Sequence, residues 1–207
     1  MNFLEQEKRV TEENGTRGIF FVTLALQGAL ASDAMRSLKE ELERETRRLQ
    51  GLEHSDCRIR RLKKVYFTKI DAILDATEYG PQWLRKYDVA KLAIGAMEDL
   101  DGKTIKLLCY TVMPNHVHLV FEPLDPGKDR QKAIEALDEF EQITAEKAAG
   151  ILDIDGEFWI GDDHLHPVHD SNELINIISY ILENPVKAGL VDYWRDWPWS
   201  YCNADYI

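Results

Sequence analysis

The chain has 207 residues and a mass of 23.9 kDa, with 44% apolar residues and no apolar run near the roughly 18 residues of a membrane span, which leaves one substantial core as the expected organisation. A formal net charge of −12 excludes a generic, whole-surface nucleic-acid binder, because phosphate contacts draw on lysine and arginine. The three cysteines, Cys57, Cys109 and Cys202, form no CxxC pair, which argues against a zinc knuckle or a disulfide framework; Cys109 lies in an apolar run and is expected as a buried thiol.

Residues 1–17 are expected as a flexible lead-in, and Met1 to Glu13 is polar and acidic with no signal-peptide pattern, so the cytoplasm is the expected location. Ile19 to Leu26, rich in β-branched and aromatic residues and ending near Gly28, reads as a buried strand. Ser32-Asp33 offers a cap for a helix over Ala34 to Gln50, closed by Gly51, whose opposite charges at helical spacing suit an exposed face.

A helical, partly basic segment at about 52–83 follows. It holds nearly all the concentrated positive charge: Arg58, Arg60, Arg61, Lys63 and Lys64, with Tyr66, Phe67 and Lys69 just beyond. Two readings stand together, a phosphate-gripping segment with aromatic neighbours for stacking and a solvated charged stretch leading into a helix. Val65, Ile70, Ile73 and Leu74 supply the apolar positions, and Gly80-Pro81 breaks the pattern.

Lys86 to Asp99 is expected as a helix, Asp101-Gly102 as a turn, and Lys103 to Val112 as a strand pairing with the next one. In Met113-Pro114-Asn115-His116-Val117-His118-Leu119-Val120-Phe121 the turn-forming lead-in gives way to alternation, so His116 and His118 share one face, roughly 6.5–7 Å apart at Cα. Two imidazoles so placed can converge on one metal ion. Lys128 to Ala149 is expected as a helix stopped by Gly150.

Asp163 to Asp170 carries His164, His166 and His169, either a polar loop or an additional metal or phosphate site. The last helix starts with the capping-box spacing of Asp170 and Glu173 and is expected to end at Pro185. Its stripe is Leu174, Ile177, Ile178, Ile181 and Leu182; Tyr180 and Asn184 lie together on one edge of it, free to face the histidine strand. The aromatic tail, Tyr193, Trp194, Trp197, Trp199 and Tyr201, reads chiefly as a segment docked on the core.

The expected fold class is α+β, a ferredoxin-like antiparallel sheet with helices on one face, in a single domain over 18–207 with the 52–83 segment as an insertion.

Four ordered motifs, MPNHVHLV, GEFW, YILENPVKAGLV and DWPWS, together with FFVTLALQG, resemble those of the REP-associated tyrosine transposases, relatives of the IS200/IS605 single-tyrosine HUH enzymes. The resemblance runs from residue 19 to 201 and departs from compact members at about 52–83, in the acidic net charge and in His164 to Asp170. It implies metal-dependent cleavage and strand transfer of single-stranded, hairpin or palindromic DNA through a 5′-phosphotyrosine. Tyr180 would be the nucleophile, and His116, His118 and Asn184 the ligands of a divalent ion, Mg²⁺ or Mn²⁺. Lys187 joins the basic segment as a DNA-contact candidate, and either a homodimer or a monomer is compatible. The alternative is a catalytically inactive hairpin-binding descendant of such an enzyme.

Overall fold

The computed structural model describes residues 18–30, 32–76, 80–124, 130–161 and 165–206. The strands are β1 (Phe20–Ala25), β2 (Ile105–Val112), β3 (His116–Pro123), β4 (His166–Pro167) and β5 (Ser200–Cys202). They form one antiparallel sheet in the order β4-β1-β3-β2-β5. The first four positions are the ferredoxin-like arrangement, and β5 adds an edge. The α+β class read from the sequence is therefore the one observed.

The helices are α1 (Ser32–Leu49), α2 (Ser55–Asp75), α3 (Tyr87–Leu100), α4 (Arg130–Leu152) and α5 (Ser171–Lys187). Strand alternation divides the sheet into two faces. Val22 and Leu24 of β1 and Val117, Leu119 and Phe121 of β3 point to one side, where α3 and α4 bring Val89, Ala93, Met97, Ala133, Leu137 and Phe140. Phe21, Leu108, Cys109 and Val120 point to the other, where α5 brings Leu174, Ile178, Ile181 and Leu182. Helices thus cover both faces, a correction to the single covered face expected from the sequence; the amphipathic stripe of α5 needs its own partner surface and finds it on the histidine side. Among the described residues no helix is long and apolar enough to cross a membrane.

Two helix ends lie further on than the sequence signals placed them. α4 runs through Gly150 to Leu152, whose side chain packs on the core, and the left-handed terminal residue is Asp153 at φ 52. α5 runs through Pro185: the ring removes one N–H, but the last turn closes through the Ala188 N–H donating to the Asn184 carbonyl at 2.9 Å. Asn184 consequently keeps its helical position one turn beyond Tyr180.

The basic segment forms most of α2, which packs on α1 and inserts Ile70 and Leu74 into the core while Phe67 meets Phe21 edge-on at 5.0 Å between centroids. Beyond it, Gly80 at φ 77 lies so close to Gly28 that a Cβ would come within 2.0 Å of the Gly28 carbonyl oxygen, so the return of the chain beside β1 requires glycine. The aromatic tail docks: Trp197 Nε1 donates to the Val112 carbonyl, Trp199 meets Tyr87, and Tyr201 stacks on Tyr110. β5 also sets Cys202 opposite buried Cys109, a pairing invisible to sequence spacing; both are free thiols, the Cys109 thiol pushed up by its bond to Cys202 and by burial.

Candidate metal and tyrosine site

The site forms where the β2–β3 hairpin meets α2 and α5. His116 and His118 are both fully buried, and their Nε2 atoms lie 3.1 Å apart. Around them stand Asp71 Oδ1, 3.4 Å from His118 Nε2, Asp75 Oδ1, 3.7 Å from His116 Nε2, and the Asn184 amide, 3.2 Å from His118 Nε2.

Hydrogen bonding fixes the state of His116. The Leu74 carbonyl can only accept, so Asn115 turns its Nδ2 to it at 3.0 Å. That leaves Asn115 Oδ1, also only an acceptor, 2.8 Å from His116 Nδ1, which must carry the proton. His116 Nε2 is then a bare lone pair aimed into the cluster. His118 Nδ1 is held by Thr23 Oγ1 at 2.8 Å, across the β1–β3 register that pairs these two residues. Burial pushes His116 down to about 3 and His118 well below the ordinary histidine value, with His116 adding to the second shift. Both rings are neutral at physiological pH, so their proximity to the carboxylates is no ordinary ion pair.

The remaining groups are acceptors without donors. Both oxygens of Asp71, Oδ1 of Asp75 and Oδ1 of Asn184 are buried and have no hydrogen-bond partner among the described residues. Burial and the neighbouring Asp75 hold Asp71 well above the usual carboxylate range despite the pull of Lys187; burial raises Asp75 to about 6, opposed by Lys187 and by a bond to Asn184. Buried polar atoms normally find partners. An imidazole lone pair and several orphaned oxygens directed at one point fit a divalent cation, and Asp71, His116 and His118 present ligand atoms within 4.8 Å of one another.

Tyr180 lies beside this cluster, its ring 5.9 Å from that of His118, and Lys187 Nζ stands 4.6 Å over the tyrosine ring. The tyrosine is half-buried and also lines a groove of about 630 Å³, whose walls include Phe21, Phe67, Lys63, Lys64, Arg130 and His166. It therefore joins the buried cluster to an open basic and aromatic channel.

Of the basic candidates, Lys63 and Lys64 reach the groove; Arg58 and Arg61 are exposed on α2 but do not line it, and the side chain of Arg60 lies outside the described residues. Lys187 sits against Tyr180 instead of on the channel wall. His164 also lies outside the described residues. His166 and His169 gather around Glu173 with ligand atoms within 4.8 Å, but Glu173 Oε1 already meets His166 Nε2 at 3.1 Å and Oε2 accepts from the His169 backbone N–H at 2.9 Å. This cluster serves the start of α5, where Asp170 accepts from the Glu173 N–H at 2.9 Å. Glu173 thus bonds His169 rather than completing the capping box.

Sequence reasoning passed over Asp71, Asp75, Thr23, Asn115 and Arg130. A signal existed for the first two: Phe67, Ile70 and Leu74 set a buried stripe on α2, and Asp71 falls on it, with Asp75 one turn later. A carboxylate at a core position asks for a partner.

The ferredoxin-like sheet thus carries a His-hydrophobe-His strand that faces a tyrosine-bearing helix, the two features on which the resemblance to the single-tyrosine HUH transposases was drawn. The particular likenesses agree. The chain is 29% identical over 109 residues to a putative REP-associated tyrosine transposase of Haemophilus influenzae, an alignment covering 45% of this chain and 57% of the relative. It thus spans little more than half the length of that curated protein. The solved structure of a REP-associated tyrosine transposase bound to a REP hairpin matches 89% of this chain and 76% of its own with a TM-score of 0.50 at 16% identity, a likeness of fold. No protein-family model matches the chain.

Proposed function

We propose that the protein is a metal-dependent enzyme that cuts and rejoins single-stranded DNA of hairpin or palindromic form through a covalent 5′-phosphotyrosine at Tyr180. The observation that carries this reading is the place of Tyr180, between the buried histidine cluster and the basic groove. The H. influenzae relative named as a transposase and the hairpin-bound structural neighbour support the same class of substrate.

A phenol with an ordinary pKa near 10 is a weak nucleophile at neutral pH. Lys187 Nζ, 4.6 Å over the ring, brings positive charge beside the reacting group. Lys63 and Lys64 hold strand phosphates, and half-buried Phe67 offers an apolar ring to bases in the groove. His116, His118 and Asn184 would hold a divalent ion, Mn²⁺ matching imidazole better than Mg²⁺; when bound it supplies Lewis-acid polarisation of the phosphate and neutralises developing charge. The Tyr180 oxygen forms the new bond to phosphorus, the bond to the 3′ oxygen breaks, and that oxygen leaves as a hydroxyl after taking a proton. The phosphodiester energy stays in the tyrosine link, so reversal on another 3′ end joins strands without ATP.

Incubation with a single-stranded DNA hairpin and Mn²⁺, resolved on a denaturing gel, tests this directly. A covalent adduct is expected from the wild type and none from Tyr180→Phe, with hairpin binding retained. Binding without an adduct in the wild type would instead identify a non-catalytic hairpin-binding protein.

A further inference from the structure

The histidine pair accounts for only part of the buried polar cluster. Two carboxylates remain, and both come from α2, the helix that carries the basic segment. Asp71 is 1% exposed, and neither oxygen has a hydrogen-bond donor among the described residues. His118 Nε2 lies 3.4 Å away, and the same nitrogen is approached by the Asn184 amide at 3.2 Å and by His116 Nε2 at 3.1 Å.

An unpaired carboxylate in such a place is costly and is ordinarily relieved by pairing or by a metal. Among the described residues no lysine or arginine hydrogen-bonds Asp71: Lys187, the cation that influences it, is exposed and stands over the Tyr180 ring. The neighbouring Asp75 makes the place more negative still, and its Oδ1 is buried and orphaned too. The two residues are one helical turn apart, so both project from one side of α2 toward the hairpin.

We propose that α2 belongs to the metal centre: Asp71 is a direct ligand of the cation held by His116 and His118, and Asp75 supports it from the partly open side. The inference rests on reading the two histidines as a metal pair. It goes beyond the His116, His118 and Asn184 set because it brings in a carboxylate from a different helix and makes the ion a clamp between α2 and the sheet. The ligand set becomes two imidazoles and at least one carboxylate, chemistry suited to Mn²⁺.

The test uses the full chain stripped with EDTA, with Mn²⁺ as the probe. Its affinity is measured by calorimetry and by the loss of the free Mn²⁺ electron-spin-resonance signal, for the wild type, Asp71→Asn and Asp71→Glu. Asp71→Asn is expected to weaken Mn²⁺ binding about tenfold or more and to reduce the Mn²⁺-induced rise in melting temperature, while Asp71→Glu retains part of both. Circular dichroism of the metal-free variants keeps folding separate from binding, since removal of an unpaired buried charge leaves the apo protein at least as stable. Unchanged Mn²⁺ affinity in folded Asp71→Asn overturns the proposal, and so does an apo variant too unstable to fold, because it would show Asp71 to be satisfied by the protein alone. The adduct assay distinguishes the two readings: an adduct with unchanged metal affinity in Asp71→Asn removes only the ligand assignment. Asp71-dependent Mn²⁺ binding in a wild type that forms no adduct removes only the strand-cleaving function.

Discussion

Asn115→Ala perturbs the site without replacing any proposed ligand. Asn115 is fully buried and joins two elements: its Nδ2 donates to the Leu74 carbonyl of α2, and its Oδ1 accepts from His116 Nδ1 of β3. Truncation removes both bonds and leaves a buried carbonyl and a buried ring N–H unpaired. At about 1–3 kcal/mol for each orphaned group, the expected loss is about 4 kcal/mol. With a urea slope of about 2 kcal/mol per molar, the midpoint of unfolding falls by about 2 M. Freed from Asn115, His116 also loses its fixed tautomer, and Mn²⁺ affinity is expected to drop by about 10-fold or more. Urea titration of metal-free protein followed by circular dichroism gives the first number and calorimetry the second. Thr23→Val is the control, removing one bond to His118 Nδ1 in a near-isosteric side chain, and should cost about 1 kcal/mol. A loss below about 1 kcal/mol for Asn115→Ala would refute the bridge and, with it, the tautomer deduced for His116.

Asp75→Asn carries a pH signature. Burial raises Asp75 in the fold to about 6 from an ordinary 3.8, so its contribution to stability is full below 3.8 and is lost as pH rises through 6. In EDTA at pH 7 the variant should exceed the wild type by up to about 3 kcal/mol, with the difference vanishing near pH 4; equal stabilities at both pH values contradict the burial argument. Replacing Lys63 and Lys64 together by alanine should weaken hairpin binding and flatten the slope of log affinity against log salt by about 0.7 for each lysine, as read by fluorescence anisotropy. An unchanged slope would place the strand elsewhere.

The strands and most helices were legible because their residues repeat at the right period. The alternation of β3 placed His116 and His118 on one face, and the stripe of α5 placed Tyr180 and Asn184 on one edge. Local stop signals were less decisive: packing of Leu152 carried α4 past Gly150, and backbone bonds from the Ala188 and Gly189 N–H groups to the Asn184 and Val186 carbonyls closed α5 beyond Pro185. The contribution of α2 was hidden for another reason. Its basic residues drew the eye to DNA, while Asp71 and Asp75 meet the histidines only through a long-range packing of α2 on the hairpin, which no local pattern encodes. The same holds for Thr23, whose partner is fixed by strand register.

That register also governs whether the candidate site assembles. β3 assigns its odd-numbered side chains to the α3 and α4 core and the two imidazoles to the opposite side. Sliding β3 by a single residue against its neighbours would turn both histidines into oil and bring Val117 and Leu119 to the candidate site. The apolar core therefore acts as proofreader for the proposed site: a chain that has aligned its greasy side correctly has, by the same act, brought the two imidazoles together beside Tyr180.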